Sequence, residues 1–227
     1  MPSYFRNFLV LVAGLIALMV VGCSTATPPN ANSNTGNRAP ANAANLAGSP
    51  NTTNANTSSP TKPFSQTLDL HGIKFVVESP NSAADNALKV TPSGLEISND
   101  VQMKPVKGEV YGAEIGDLDI DQSPEIYIYV RETSGNRKAS VVVYSANKKR
   151  SLSEVTVPDD DPKSKDLSGY NGGDEFAIIE NSLARRFPIF DGIGSEAKKT
   201  GKMRQFRYKL KQGEASWQLA LDKVTKF

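Results

Sequence analysis

The chain of 227 residues has one histidine and one cysteine. With His71 as the only imidazole, most zinc sites are excluded, and a catalytic triad with a histidine base is not expected. With Cys23 as the only thiol, no disulfide can close within the chain. Glycine-rich phosphate loops of the P-loop or dinucleotide type are missing. Before Lys62 there is no acid, and the only basic residues are Arg6 and Arg38, so 24 of the 26 Lys+Arg face 24 Asp+Glu in the remainder. A nucleic-acid binder carries a basic excess, so nucleic acid is not an expected partner. A hydrolase working with carboxylates alone stays open on composition, but no acid pair stands out as its site. The expectation is a protein that is not an enzyme, with no catalytic residue and no required cofactor.

What is present begins with an address. Arg6 gives a positive start, Phe8 to Val21 form an apolar run, and Gly22 precedes Cys23. That order is a secretory signal. Its end resembles the lipobox of bacterial lipoproteins, in which the cysteine thiol receives a fatty acyl (palmitate) chain. The alternative is a transmembrane helix, but at ~1.5 Å per residue the uncharged run from Asn7 to Gly22 reaches only about 24 Å, short of a ~30 Å hydrocarbon core. The expected division is a signal peptide over 1–22, a lipidated and disordered tether over 23–61, and a folded domain over 62–227. The tether is almost all Asn, Ala, Thr, Ser, Pro and Gly, with too little apolar surface to offset its ordering entropy. Its mean reach is about 30–35 Å. The expected location is the bacterial cell envelope, lipid-anchored at the outer membrane or on the periplasmic face of the inner membrane.

The folded part carries strand signals, with period-2 alternation between turn residues. "GIKFVVES", "ALKVT", "GLEISN", "GEVYGAEIGDLDI", "EIYIYVRE" and "ASVVVYSA" read as strands, and "EFAIIE" with "LARRFPIF" reads as a hairpin. In "RQFRYKLK" Phe206, Tyr208 and Leu210 share one face, and a turn at Gln212-Gly213-Glu214 leads into "SWQLALDKV". The expected fold is all-β, a mostly antiparallel sandwich or a partly closed barrel. A helix over "DEFAIIENSLARRF" is the competing reading, because Phe176, Ile179 and Leu183 have helical spacing.

Charge is segregated. Between Lys107 and Arg131 there are only acids, and between Glu196 and Glu214 only cations. This predicts either solvated strand faces or a patch that steers a charged partner. Asp117, Asp119, Asp121 and Glu125 form the one metal-like pattern, with calcium as the candidate ion. The EF-hand turn glycine is replaced by Gln122 and the twelfth-position Glu is missing, and a strand with one wet face accounts for the same alternation.

Over some 150 residues from Phe75, the chain resembles the periplasmic inhibitors of invertebrate-type (I-type) lysozyme. The match is carried by Gly116-Asp117-Leu118-Asp119 with Ser123-Pro124-Glu125 and "YIYV", by Ser151-Leu152-Ser153-Glu154, and by Gly173-Asp174-Glu175-Phe176-Ala177. "ARRFPIF", "TGKMRQFRYKL" and "GEASWQLALD" follow in order. The resemblance implies a β-rich domain, often a homodimer, that inhibits by pushing a loop with a Ser-Gly-x-Tyr signature into the enzyme's cleft. Here the matching positions are Ser134, Gly135, Asn136 and Arg137, and the tyrosine is absent. Ser134 would donate to a cleft carboxylate, Gly135 would let the backbone approach, and Arg137 would pair with a carboxylate. An ordinary polar hairpin tip has the same composition. Two binding-class readings remain: a lysozyme inhibitor with lysozyme as its protein partner, or an envelope structural or adhesive lipoprotein that keeps the fold without inhibition, stabilised by calcium.

Overall fold

The computed structural model describes residues 62–192 and 194–227. The expectations for 1–22, Cys23 and the 23–61 tether lie outside the described residues. Twelve strands make up the architecture, with three short 3-10 turns between them. They are β1 (Phe64–Leu70), β2 (Ile73–Ser79), β3 (Ala87–Ser93), β4 (Gln102–Pro105), β5 (Glu109–Gly116), β6 (Glu125–Arg131), β7 (Ala139–Ser145), β8 (Ser153–Glu154), β9 (Glu175–Ile179), β10 (Ser182–Asp191), β11 (Lys198–Gln212) and β12 (Trp217–Lys226). They form three four-stranded sheets, ordered β1-β2-β3-β4, β5-β6-β7-β8 and β12-β11-β10-β9. The strand neighbours run antiparallel.

The middle sheet is buried on both faces, and the cores show it. Ile126, Ile128 and Val130 of β6 pack with Phe75, Val77, Leu88 and Val90 of the first sheet. Tyr127 and Tyr129, on the opposite face, pack with Leu183, Phe187, Phe206 and Leu219 of the third. Successive strand residues point to opposite faces, so a strand between two apolar layers must be apolar throughout. This is why "EIYIYV" shows no alternation and is buried at every position, while β2 and most of β11 alternate. Burying each such Ile, Val or Leu contributes roughly 1.5–3 kcal/mol.

The all-β expectation holds, as a stack of sheets. The helical reading of 174–187 does not. Glu180 and Asn181 form a two-residue turn, Ser182 faces Ile179, and Leu183 faces Ile178. Phe176 and Leu183 reach the second core from the two strands of this hairpin, while Ile179 sits on the other face beside the turn, so their helix-like spacing is a coincidence of the hairpin.

Three boundaries differ from the sequence pattern. "GLEISN" is not a strand: Glu96 N, Ile97 N and Ser98 N donate to the carbonyls of Lys149 and Arg150 instead, and the strand follows at Gln102. β1, which the pattern did not single out, pairs along its whole length with β2. β5 stops at Gly116, so the acid-rich stretch after it is a loop. In β12, Leu221 is 46% exposed, beside a bulge where Asp222 is the unpaired residue.

Candidate functional site

Two loops leave opposite ends of β6. One precedes Glu125 and the other follows Arg131, and at ~3.3 Å per residue the seven-residue strand sets them about 23 Å apart. Both were singled out in the sequence.

The far loop, 132–138, is a hairpin tip closed by Glu132 N donating to the Lys138 carbonyl at 2.9 Å. Every residue from Glu132 to Lys138 is exposed, Ser134, Gly135, Asn136 and Arg137 included. Gly135 has φ +65° with open space where a side chain would stand, so glycine here serves the backbone turn. Arg137 also has positive φ, and its guanidinium lies 3.7 Å from Glu109 with 61% of the side chain exposed. An exposed pair of that length contributes about 0–1 kcal/mol, so Arg137 is free to exchange partners. No residue of the tip is apolar and large.

The tip is exposed but not loose. Asn136 Nδ2 donates to Asn171 Oδ1 at 2.6 Å. Gly172, at φ +82°, lies so close that a β-carbon there would run into the Asn136 carbonyl. At the base of the hairpin, Asp174 is 1% exposed and accepts from Ala139 N (3.0 Å), Tyr170 Oη (2.7 Å) and Arg185 Nε (2.8 Å). Arg185, itself buried, reaches Asp160 with both terminal nitrogens at 2.6 and 2.9 Å. Burial works against the guanidinium charge, but Asp160 and Asp174 hold it above the ordinary arginine range. Tyr170 packs edge-on against Phe187, with centroids 4.8 Å apart, and carries the bracing into the second core. A buried charge with three donors is well satisfied. Removing one partner would strand the other.

The near loop, 117–124, is built the other way. Ile120 and Gln122 have positive φ, and Ile120 points out at 72% exposure while Leu118 is buried. The alternating-strand explanation of the acids is therefore overturned: the chain curls, and Asp117 accepts from Asp121 N (3.0 Å) and Gln122 N (2.9 Å). The curl brings Asp117, Asp119 and Glu125 together, with one carboxylate oxygen of each within 4.8 Å of the others. Asp121 turns aside and accepts from Ser123 N at 2.7 Å. Glu125 is 1% exposed and accepts from Leu118 N and Ser145 Oγ, both at 3.1 Å. Burial, then the nearby Asp119 and Asp117, outweigh those bonds and push its carboxyl up to about 8. Asp119 is raised by burial and by the charges of Asp121 and Asp117.

His71 Nε2 stands 3.4 Å from Asp117 Oδ2. His71 sits in the β1–β2 turn, in the left-handed region. Sequence reasoning noted it only as the single histidine, because the contact joins positions far apart in the chain.

The segregated charge runs do not form single faces. In the acidic run, Glu109 lies beside Arg137, Glu114 accepts from Ile178 N at 2.6 Å and ties β5 to β9, and Asp117, Asp119 and Glu125 form the loop cluster. In the basic run, Arg204 is buried and caps the carbonyls of Asp166 and Ser168, while Arg207 pairs with Glu180 at 2.8 Å. Asp174, Tyr170 and Arg185 were missed as a functional brace. Asp174 stood inside a motif that carried the resemblance, but only the fold shows what it holds. Compared with models of known families, with curated proteins and with solved structures, the chain gives no match.

Proposed function

We propose that this protein is a lipid-anchored envelope protein that inhibits an I-type lysozyme by inserting its 132–138 hairpin tip into the enzyme's cleft. One observation carries the reading: the tip is exposed at every residue yet is pinned through Asn136 and, at its base, through Asp174. A segment already held in one shape loses little entropy on binding. The residues shared in order with the inhibitor family support the same reading, as does the open space around Gly135. A glycosidase cleft presents two carboxyl groups. Ser134 offers one donor and Arg137 a fork of donors to them.

Catalysis by this chain itself is the weaker reading. Its closest carboxylates include Glu125, which is 1% exposed and out of reach of a polysaccharide. Anchoring follows the N-terminal pattern, in which Cys23 takes the lipid and the following polar segment acts as a tether.

The experiment is an inhibition assay with the purified protein, a panel of lysozymes and peptidoglycan as substrate. Slowed hydrolysis by an I-type enzyme is expected, with Ser134→Ala and Arg137→Ala each weakening inhibition by about 1–2 kcal/mol at unchanged melting temperature. An absence of inhibition at micromolar protein across the panel would remove the reading.

A further inference from the structure

The loop at the other end of β6 has a role that a hairpin plug does not call for. We propose that it binds a divalent cation, calcium by size and donor type, through the carboxylates of Asp117, Asp119 and Glu125.

The donors are hard oxygens of the kind calcium takes. Two oxygens on one calcium, each ~2.3–2.6 Å from it, lie no more than about 4.6–5.2 Å apart, whereas on magnesium, at ~2.0–2.1 Å, the limit is about 4.2 Å. The three oxygens here lie within 4.8 Å of one another, near enough for one ion to gather them, and calcium's longer bonds and looser geometry ask for less movement of the loop than magnesium's. Among the described residues, no lysine or arginine forms an ion pair with Asp117, Asp119, Asp121 or Glu125, and His71 reaches only Asp117. The charges that converge are not balanced from within the fold.

An acidic cluster alone would not make a site, since exposed acids crowd many loops. A second observation comes from the strand beneath. Tyr127 is wholly buried, and its hydroxyl has no hydrogen-bond partner. It stands two residues along β6 from Glu125, on the same face, and the charges of Glu125, Asp119 and Asp117 all bear on its hydroxyl. Asp119 Oδ1 is likewise buried without a partner. Buried polar groups are nearly always satisfied. A cation between the carboxylates takes Asp119 Oδ1 as a ligand, and a water on that cation supplies a partner for the phenol.

Access exists on the outer side. Asp119 and Asp121 line an open groove of about 760 Å³, shared with Asn147, Ser151, Gln212 and Trp217. An ion can enter there and keep part of its water shell.

The test uses the full chain in detergent, stripped with EDTA, and reads two signals: the melting temperature in calcium or magnesium, and terbium luminescence excited through tyrosine. Calcium at ten times its dissociation constant is expected to raise Tm by about 3–6 °C, reversed by EDTA. Terbium is expected to emit and to be displaced by calcium. Asp119→Asn and, independently, Glu125→Gln are expected to abolish both responses while leaving the chain folded in EDTA, since each amide keeps the side chain's shape and removes an anionic ligand. No Tm response to calcium, or a response that persists in both variants, would overturn the proposal. An equal response to magnesium would overturn the assignment to calcium. Inhibition of lysozyme does not enter either readout, so this proposal and the inhibitor reading fail separately.

Discussion

The two ends of β6 answer the same problem in opposite ways. Both are connections of similar length between antiparallel strands, and both place a buried carboxylate at their base. At the far end Asp174 collects three donors, one of them a buried arginine that is itself held by a second acid. At the near end Glu125 has two neutral donors and two further carboxylates beside it. The far loop is complete without any addition and presents its tip outward. The near loop gathers three carboxylates with no lysine or arginine paired to them among the described residues, which is what the proposed cation would answer. The difference teaches that acid content does not say what a loop does; the balance of partners around the buried group does.

The sharpest way to break the contrast is Arg185→Ala. It leaves Asp174 buried with its charge uncompensated, at a cost of about 3–5 kcal/mol. Thermal unfolding followed by circular dichroism should show Tm lowered by roughly 6–20 °C. An unchanged Tm would mean the brace contributes nothing.

Next in size is a pH effect confined to the other end. Glu125 titrates near 8 in the folded protein against 4.5 as its ordinary value. The folded state therefore holds a proton that the unfolded chain releases, so stability is fully present below pH ~4.5 and falls as pH rises toward 8. In EDTA this loss should amount to a few kcal/mol, because each tenfold difference in proton affinity between the two states is worth about 1.4 kcal/mol. Glu125→Gln should flatten the slope in urea titrations run across that range.

The smallest effects make a matched pair of hydroxyl deletions. Tyr170→Phe removes a donor from Asp174 and should cost about 1.5–3 kcal/mol, whereas Tyr127→Phe, measured in EDTA, removes an unpartnered hydroxyl and should change stability by less than about 0.5 kcal/mol. Equal costs for the two would erase the distinction drawn between the ends.

Much of this architecture was readable in the chain itself. Alternation in "RQFRYKLK" placed Phe206, Tyr208 and Leu210 inward, where they are 4–7% exposed. The residues between "EIYIYV" and "SVVVYSA" were placed at a tip because Ser, Gly and Asn suit turns, and they occupy one. The failures have a common cause. "GLEISN" has strand composition but bonds to a distant turn, and the acids after Gly116 alternate like a strand but curl. Periodicity records which side chains differ in polarity, not which backbone groups find partners.

By itself, the sequence determined the strand-rich body, the sites of most turns, the single histidine and single cysteine, and which loops carry polar or acidic side chains. These depend on neighbours in the chain, whose spacing is fixed by the backbone. Only the tertiary structure decided that β6 lies between two cores, that Asp174 is satisfied from Ala139, Tyr170 and Arg185, and that Asp117, Asp119 and Glu125 meet beside an unpartnered Tyr127. Those outcomes rest on groups brought together by sheet stacking and loop closure, and on burial, which sets the strength of every charge.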